Sequence, residues 1–223
     1  MHRNMLGWEL AYAVRYAFWF HDENLGKPHV VLPSGQHSNG YFNTRLIIPH
    51  DVVLGDAASD LLELLSSTGE AEGTLIDMVV GPQTGATRLA ELISFRVPTY
   101  TGDPCGWSSP AKVETNGIKS MVFTPADVKR LNGNRVLLCE DVITTGKSVD
   151  LAARAVIAAG GTVLPFVLAL VNRSGLTEIN GRRVVSLISR LMPLWDPEDC
   201  PLCKAGSKAI TAGKDNWNEL NLA

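Results

Sequence analysis

The stretch Val136-Leu137-Leu138-Cys139-Glu140-Asp141-Val142-Ile143-Thr144-Thr145-Gly146-Lys147-Ser148 decides the fold. An apolar run of strand length, residues 135–139, ends in two adjacent carboxylates. Two threonines, a glycine and a serine follow. From about residue 147 to 159 the apolar spacing becomes helical, and Gly160-Gly161 stops it. A helix start offers free backbone N–H groups and partial positive charge, which suits a phosphate. Gly146 lets the backbone close around an anion, and Thr144, Thr145 and Ser148 add hydroxyl donors. Glu140 and Asp141 would repel that phosphate. They suit hydroxyls, a metal or a developing cation, and a ribose carrying a 5-phosphate offers both kinds of end. Gly146-Lys147-Ser148 imitates the close of a nucleoside-triphosphate P-loop, but that motif requires glycine where Asp141 stands.

Working outward, the same strand, turn and helix order precedes this segment. Residues 75–80 form an apolar run, Gly81, Pro82, Gln83, Thr84 and Gly85 a turn, and 86–94 a helix; 162–171 is a further apolar strand. Buried strands alternating with helices predict an α/β fold, a mainly parallel twisted sheet flanked by helices. Ligands of such sheets sit at the carboxyl ends of the strands, where both turns lie. Helices are expected over 6–20 and 52–65, the second with Asp51 as its N-cap, and a short apolar run over 29–32. Residues 102–118 lack periodicity and read as a functional loop carrying Lys112. The expected organisation is one domain over 1–206, with a small hood from about 1–50 plus a C-terminal part, and a polar tail over 207–223.

Composition narrows the function classes. Of 223 residues 45% are hydrophobic, enough for a full core, and the net charge of −3 argues against broad nucleic-acid binding. The first apolar stretch is interrupted by Arg15 without a cleavage site, and the run at 162–171 contains Pro165 and is too short for a bilayer. A cytoplasmic protein with no membrane partner is expected. Four cysteines do not make a disulfide scaffold in a chain this long. Cys200 and Cys203 have metal-ligand spacing, a possible half of a zinc site whose other half would come from a second chain.

The acidic turn resembles the phosphoribosyl pyrophosphate (PRPP) signature of type I phosphoribosyltransferases. The resemblance implies that Glu140 and Asp141 engage the ribose hydroxyls, with residues Val142, Ile143, Thr144, Thr145, Gly146, Lys147 and Ser148 completing the PRPP site. Residues 32–43, Leu-Pro-Ser-Gly-Gln-His-Ser-Asn-Gly-Tyr-Phe-Asn, resemble the orotate-pocket segment of orotate phosphoribosyltransferases, as the Cys-Pro-Leu-Cys ending resembles that of some bacterial members. This implies base contacts from Ser34, Gly35, Tyr41, Phe42, Thr144 and Arg173. Gly81 to Gly85 take the place of the pyrophosphate loop, with backbone N–H groups facing the leaving group.

The family resemblance implies transfer of ribose 5-phosphate from PRPP to orotate with Mg²⁺, in a homodimer. Three family features are missing: Pro33 and Thr84 stand where many members have lysine, and Tyr100-Thr101-Gly102-Asp103 lacks the Arg-Lys pair of the mobile loop. Lys112 is the candidate to neutralise the leaving pyrophosphate, or Arg88 to supply the lost charge. The competing readings are a phosphoribosyltransferase for another nucleobase and a non-catalytic regulator that senses PRPP or a nucleotide.

Overall fold

The computed structural model describes residues 2–21 and 27–221. The segment Arg135–Ile143 is a central strand of a six-stranded sheet. Across that sheet the order is Glu178–Ile179, Arg182–Ser189, Thr162–Asn172, Arg135–Ile143, Met78–Val80 and Gly106–Ser108. Every neighbouring pair runs parallel except the edge hairpin Glu178–Ile179 with Arg182–Ser189.

Side chains alternate across a strand, so one apolar run serves two cores. Leu137 and Cys139 join Leu54, Leu61, Leu89 and Ile93 of helices Asp51–Ser67 and Thr87–Thr101. Val136 and Leu138 join Val149, Ala152 and Val156 of helix Lys147–Ala158, with Leu131 of Pro125–Leu131. Each fully buried side chain of this kind contributes roughly 1.5–3 kcal/mol. The sheet therefore holds its carboxyl edge rigidly while the turns above it carry polar groups. Among the described residues no helix is long and apolar enough to cross a membrane.

A smaller layer covers that edge. Strands Ala209–Thr211, His29–Val31 and His37–Ser38 form one sheet, and Phe18–Phe20 pairs with Gly40–Phe42. Trp19, Val30, Tyr41, Ile210, Trp217 and Leu220 form its core. The residues past 206, expected as a polar tail, thus belong to the hood: Ile210, Trp217 and Leu220 are apolar at the positions that face it.

Other expectations change. The N-terminal helix is Met5–Ala13; Tyr16 takes a left-handed backbone (φ 58°), and Phe18–Phe20 is extended instead of helical. Asp51 begins its helix but does not cap it; its carboxylate receives Arg88. Helix Thr87–Thr101 runs past the expected stop at 94. The segment 102–118 is not one long loop. Gly106–Ser108 extends the central sheet, and Ala111–Thr115 forms a hairpin with Ile118–Val122. Asn116 and Gly117, both at positive φ, make the two-residue turn that a right-twisted hairpin favours.

Candidate active site

Glu140 and Asp141 lie at the carboxyl end of Arg135–Ile143 and line an open cleft of about 590 Å³. Gln83, Thr84, Gly85, Lys112, Thr44 and Arg45 line it too. Three separate segments singled out in the sequence therefore meet at one place. Gly85 is packed so closely on Asp141 that an added Cβ would run into the carboxylate. Glycine is needed there for space.

Glu140 is only 6% exposed. Burial first, then the hydrogen bond and charge of Asp141, push its carboxyl well above the ordinary range, with Lys112 opposing from across the cleft. Its Oε1 accepts from the Asp141 N–H at 3.1 Å, and Asp141 Oδ1 accepts from the Val142 N–H at 2.8 Å. The two acids are thus oriented by their own backbone. Burial beside a second acid favours the protonated Glu140, a state that an approaching cation reverses.

The following turn keeps its amides free. Among the described residues, no backbone N–H from Thr144 to Ser148 donates to a backbone carbonyl outside the regular elements. Gly146 adopts φ 74°, which L side chains rarely take, and starts helix Lys147–Ala158. A cavity of about 80 Å³ lies within this turn, lined by Thr144, Thr145, Gly146, Lys147 and Ser148 among others. Free N–H groups at a helix start, hydroxyls and a small concavity form an anion cradle. Val142 and Ile143 line the same cavity at its strand end. Both are paired in the sheet with Val171 and Asn172, and the Ile143 side chain is in the core. Thr144 lines this cradle.

The pyrophosphate-loop expectation is narrowed. Gly81 N–H donates to Ser108 O at 3.3 Å and Gln83 N–H to Pro110 O at 3.1 Å. Pro82 has no N–H, so the amides of Thr84 and Gly85 remain for a ligand. The Gln83–Thr84 peptide is cis. Arg88 supplies nothing to the cleft. Its guanidinium is held by Asp51 at 2.9 Å and Glu91 at 2.5 Å. Arg45, which carries no local signal in the sequence, is the cation that joins Lys112 there.

The base-pocket residues divide. Tyr41 is buried against Trp217, with ring centroids 6.4 Å apart, and Phe42 packs on Tyr12 at 5.2 Å. Tyr41 therefore serves the hood's interior, while Phe42, the next residue and so on the opposite face of the strand, packs against the main core with Tyr12 and Phe18. Ser34 and Gly35 form an exposed tight turn in which Gly35 N–H donates to Leu32 O. Arg173 fits its expectation better. It is 9% exposed, and Nη2 donates to Ser38 Oγ at 3.0 Å and to Met192 O at 2.9 Å. No carboxylate pairs with it among the described residues, and burial lowers its pKa. A buried cation held only by neutral acceptors suits an incoming planar carboxylate. Ser38, which orients it, belongs to the segment 32–43 that resembles the family's orotate pocket.

Comparison with known proteins agrees with this geometry. Residues 56–193 match the family model described as the phosphoribosyl transferase domain. An orotate phosphoribosyltransferase of Heliobacterium modesticaldum is 33% identical over 191 residues, covering 86% of this chain and 92% of the relative. This chain belongs to the orotate phosphoribosyltransferase family. A second family member, from Pelotomaculum thermopropionicum, is 33% identical over 83% of this chain and 88% of its own. The Mycobacterium tuberculosis orotate phosphoribosyltransferase structure with Fe(III) dicitrate shares the fold at TM-score 0.56 and 25% identity, covering 82% of this chain and 95% of that one. The type I phosphoribosyltransferase fold expected from the acidic turn is the one found.

Proposed function

We propose that this member of the orotate phosphoribosyltransferase family transfers ribose 5-phosphate from PRPP to N1 of orotate. The observation that carries the reading is the free-amide turn Thr144 to Ser148 beside the acid pair, with a carboxylate-ready Arg173 under the hood. In the proposed complex the 5-phosphate lies in the turn and Glu140 and Asp141 hold the ribose hydroxyls. The bond from ribose C1 to pyrophosphate oxygen breaks as N1, its proton lost to solvent, bonds to C1. Positive charge developing on the ribose is stabilised by the acid pair. Lys112 and Arg45 neutralise the departing pyrophosphate, with the amides of Thr84 and Gly85. They take the part of the family lysines and arginine that this chain lacks.

Mg²⁺ suits the same cleft, because two carboxylates of an otherwise cationic site are hard oxygen donors. It would be held largely through the oxygens of PRPP itself, with the acid pair nearby, and would screen the pyrophosphate charge. The hairpin from Ala111 to Val122 projects Lys112 into the cleft while Ile118 and Val122 stay exposed. Exposed apolar residues along such a hairpin suit contact with a second subunit, so the working form is proposed to be a homodimer acting in the cytoplasm.

The test is pyrophosphate release from PRPP and Mg²⁺ with a panel of nucleobases. Release with orotate alone supports the reading. Release with another base reassigns the substrate, and PRPP binding without any turnover selects a sensing role.

A further inference from the structure

We propose that the hood is built around a structural zinc ion held by His29, His37, Cys200 and Cys203. The four come from opposite ends of the chain, yet their ligand atoms all lie within 4.8 Å of one another. His29 Nε2 is 3.0 Å from His37 Nδ1, 3.5 Å from Cys200 Sγ and 3.4 Å from Cys203 Sγ. His37 Nδ1 is 3.3 Å from Cys203 Sγ. Zinc bonds of about 2.0–2.1 Å to nitrogen and 2.3 Å to sulfur, at the tetrahedral angle, place ligand atoms roughly 3.3–3.8 Å apart. The three nitrogen-to-sulfur separations, 3.3, 3.4 and 3.5 Å, fall within that spacing, while the two imidazole nitrogens at 3.0 Å would open slightly to admit the ion. Two imidazoles and two thiolates are also a common donor set for a closed structural zinc site.

Neighbouring groups hold the ligands in a state ready for metal. Ser207 Oγ donates its proton to Lys27 O at 2.6 Å, so it accepts from His29 Nδ1–H at 2.9 Å. This assigns the His29 tautomer and turns the Nε2 lone pair into the cluster, as in many zinc sites. Cys200 Sγ accepts from the Cys203 N–H at 3.5 Å, the usual support for a bound thiolate. The His37 backbone is tied to Trp195 in both directions, at 2.8 and 2.9 Å. His29 and Cys200 are fully buried and His37 nearly so, so a lone polar cluster here would be costly. A metal resolves that cost by satisfying all four at once.

The consequence is mechanical. Zinc would lock the hairpin from His29 to Ser38 onto the C-terminal segment, and Ser38 is the residue that orients Arg173. The proposal does not depend on which base the enzyme uses.

The experiment is metal analysis of the full-length protein, with cobalt substitution. About one zinc per chain is expected, and Co²⁺ should give intense tetrahedral visible bands with a sulfur-to-cobalt charge-transfer band. Removal of zinc by a strong chelator should lower Tm and expose both thiols to alkylation. The wild-type cobalt spectrum stands even where a variant misfolds. A folded Cys200→Ser/Cys203→Ser protein should hold no zinc. Substoichiometric metal without cobalt bands overturns the proposal, whether the thiols are free or joined in a disulfide. So does full zinc content retained by the double variant.

Discussion

Replacing Arg173 by methionine should separate substrate affinity from folding. Arg173 is 9% exposed, and its guanidinium gives two bonds to Met192 O and one to Ser38 Oγ, all to uncharged acceptors. Methionine fills the volume but leaves those acceptors without their donors, at about 1–3 kcal/mol. It also removes a buried charge that no carboxylate balances. The net loss of stability should therefore be under about 3 kcal/mol, below the 3–5 kcal/mol typical of a broken buried ion pair. Substrate binding should suffer more. Truncating one partner of a buried, hydrogen-bonded charge pair costs about 2–5 kcal/mol, so the KM for orotate should rise roughly 30-fold or more. The assay is steady-state turnover at saturating PRPP, with the KM for PRPP as control and urea unfolding for stability. Arg173→Lys, which keeps the charge but loses the fork, should recover only part of the affinity. An orotate KM within about threefold of wild type would refute the assignment, since the carboxylate would then be bound elsewhere.

Gly85→Ala should abolish most turnover with little loss of Tm, because its Cβ displaces the Asp141 carboxylate and not the core; unchanged kcat/KM would show that Asp141 tolerates the shift. Glu140→Gln should inactivate the enzyme yet stabilise it progressively as pH rises. Burial raises the Glu140 pKa, so the native state holds a proton that the unfolded chain releases, and wild-type stability falls as pH climbs above about 4.3. Urea midpoints at about pH 5 and pH 8 should diverge between the two proteins, and parallel curves would count against the protonated carboxyl. Lys112→Met should lower kcat by about 10²-fold or more, with a smaller effect on the orotate KM. An equal kcat would transfer the charge-neutralising part to Arg45.

The strand, acid pair, turn and helix from Arg135 to Ala158 could be read from the sequence because each step is local. An apolar run, a glycine at positive φ and a helical period lie within one short window. Helix Lys147–Ala158 ends within a residue of the expectation for that reason. The sequence does not reveal that Tyr41 faces inward, because an aromatic residue on a strand looks the same whether it faces a ligand or a hood core; Trp217 decides it from far along the chain. Asn116-Gly117 was a usable hairpin signal within a stretch read as a loop. Arg45 has no such signal, since only the fold brings it to the cleft beside Lys112. His29 and His37 are likewise ordinary in sequence, and Cys200 and Cys203 find them only through strand pairing that joins the two ends of the chain.

The parallel pairing of Ala209–Thr211 with His29–Val31 has a consequence for synthesis. A chain emerging from the ribosome has its sheet-forming residues through Ser189 well before Ile210, Trp217 and Leu220 appear. The sheet and its helices can settle early, while the hood waits for residues made later. A substitution that unpairs Ala209–Thr211 from His29–Val31 should therefore loosen the hood before it disturbs the central sheet.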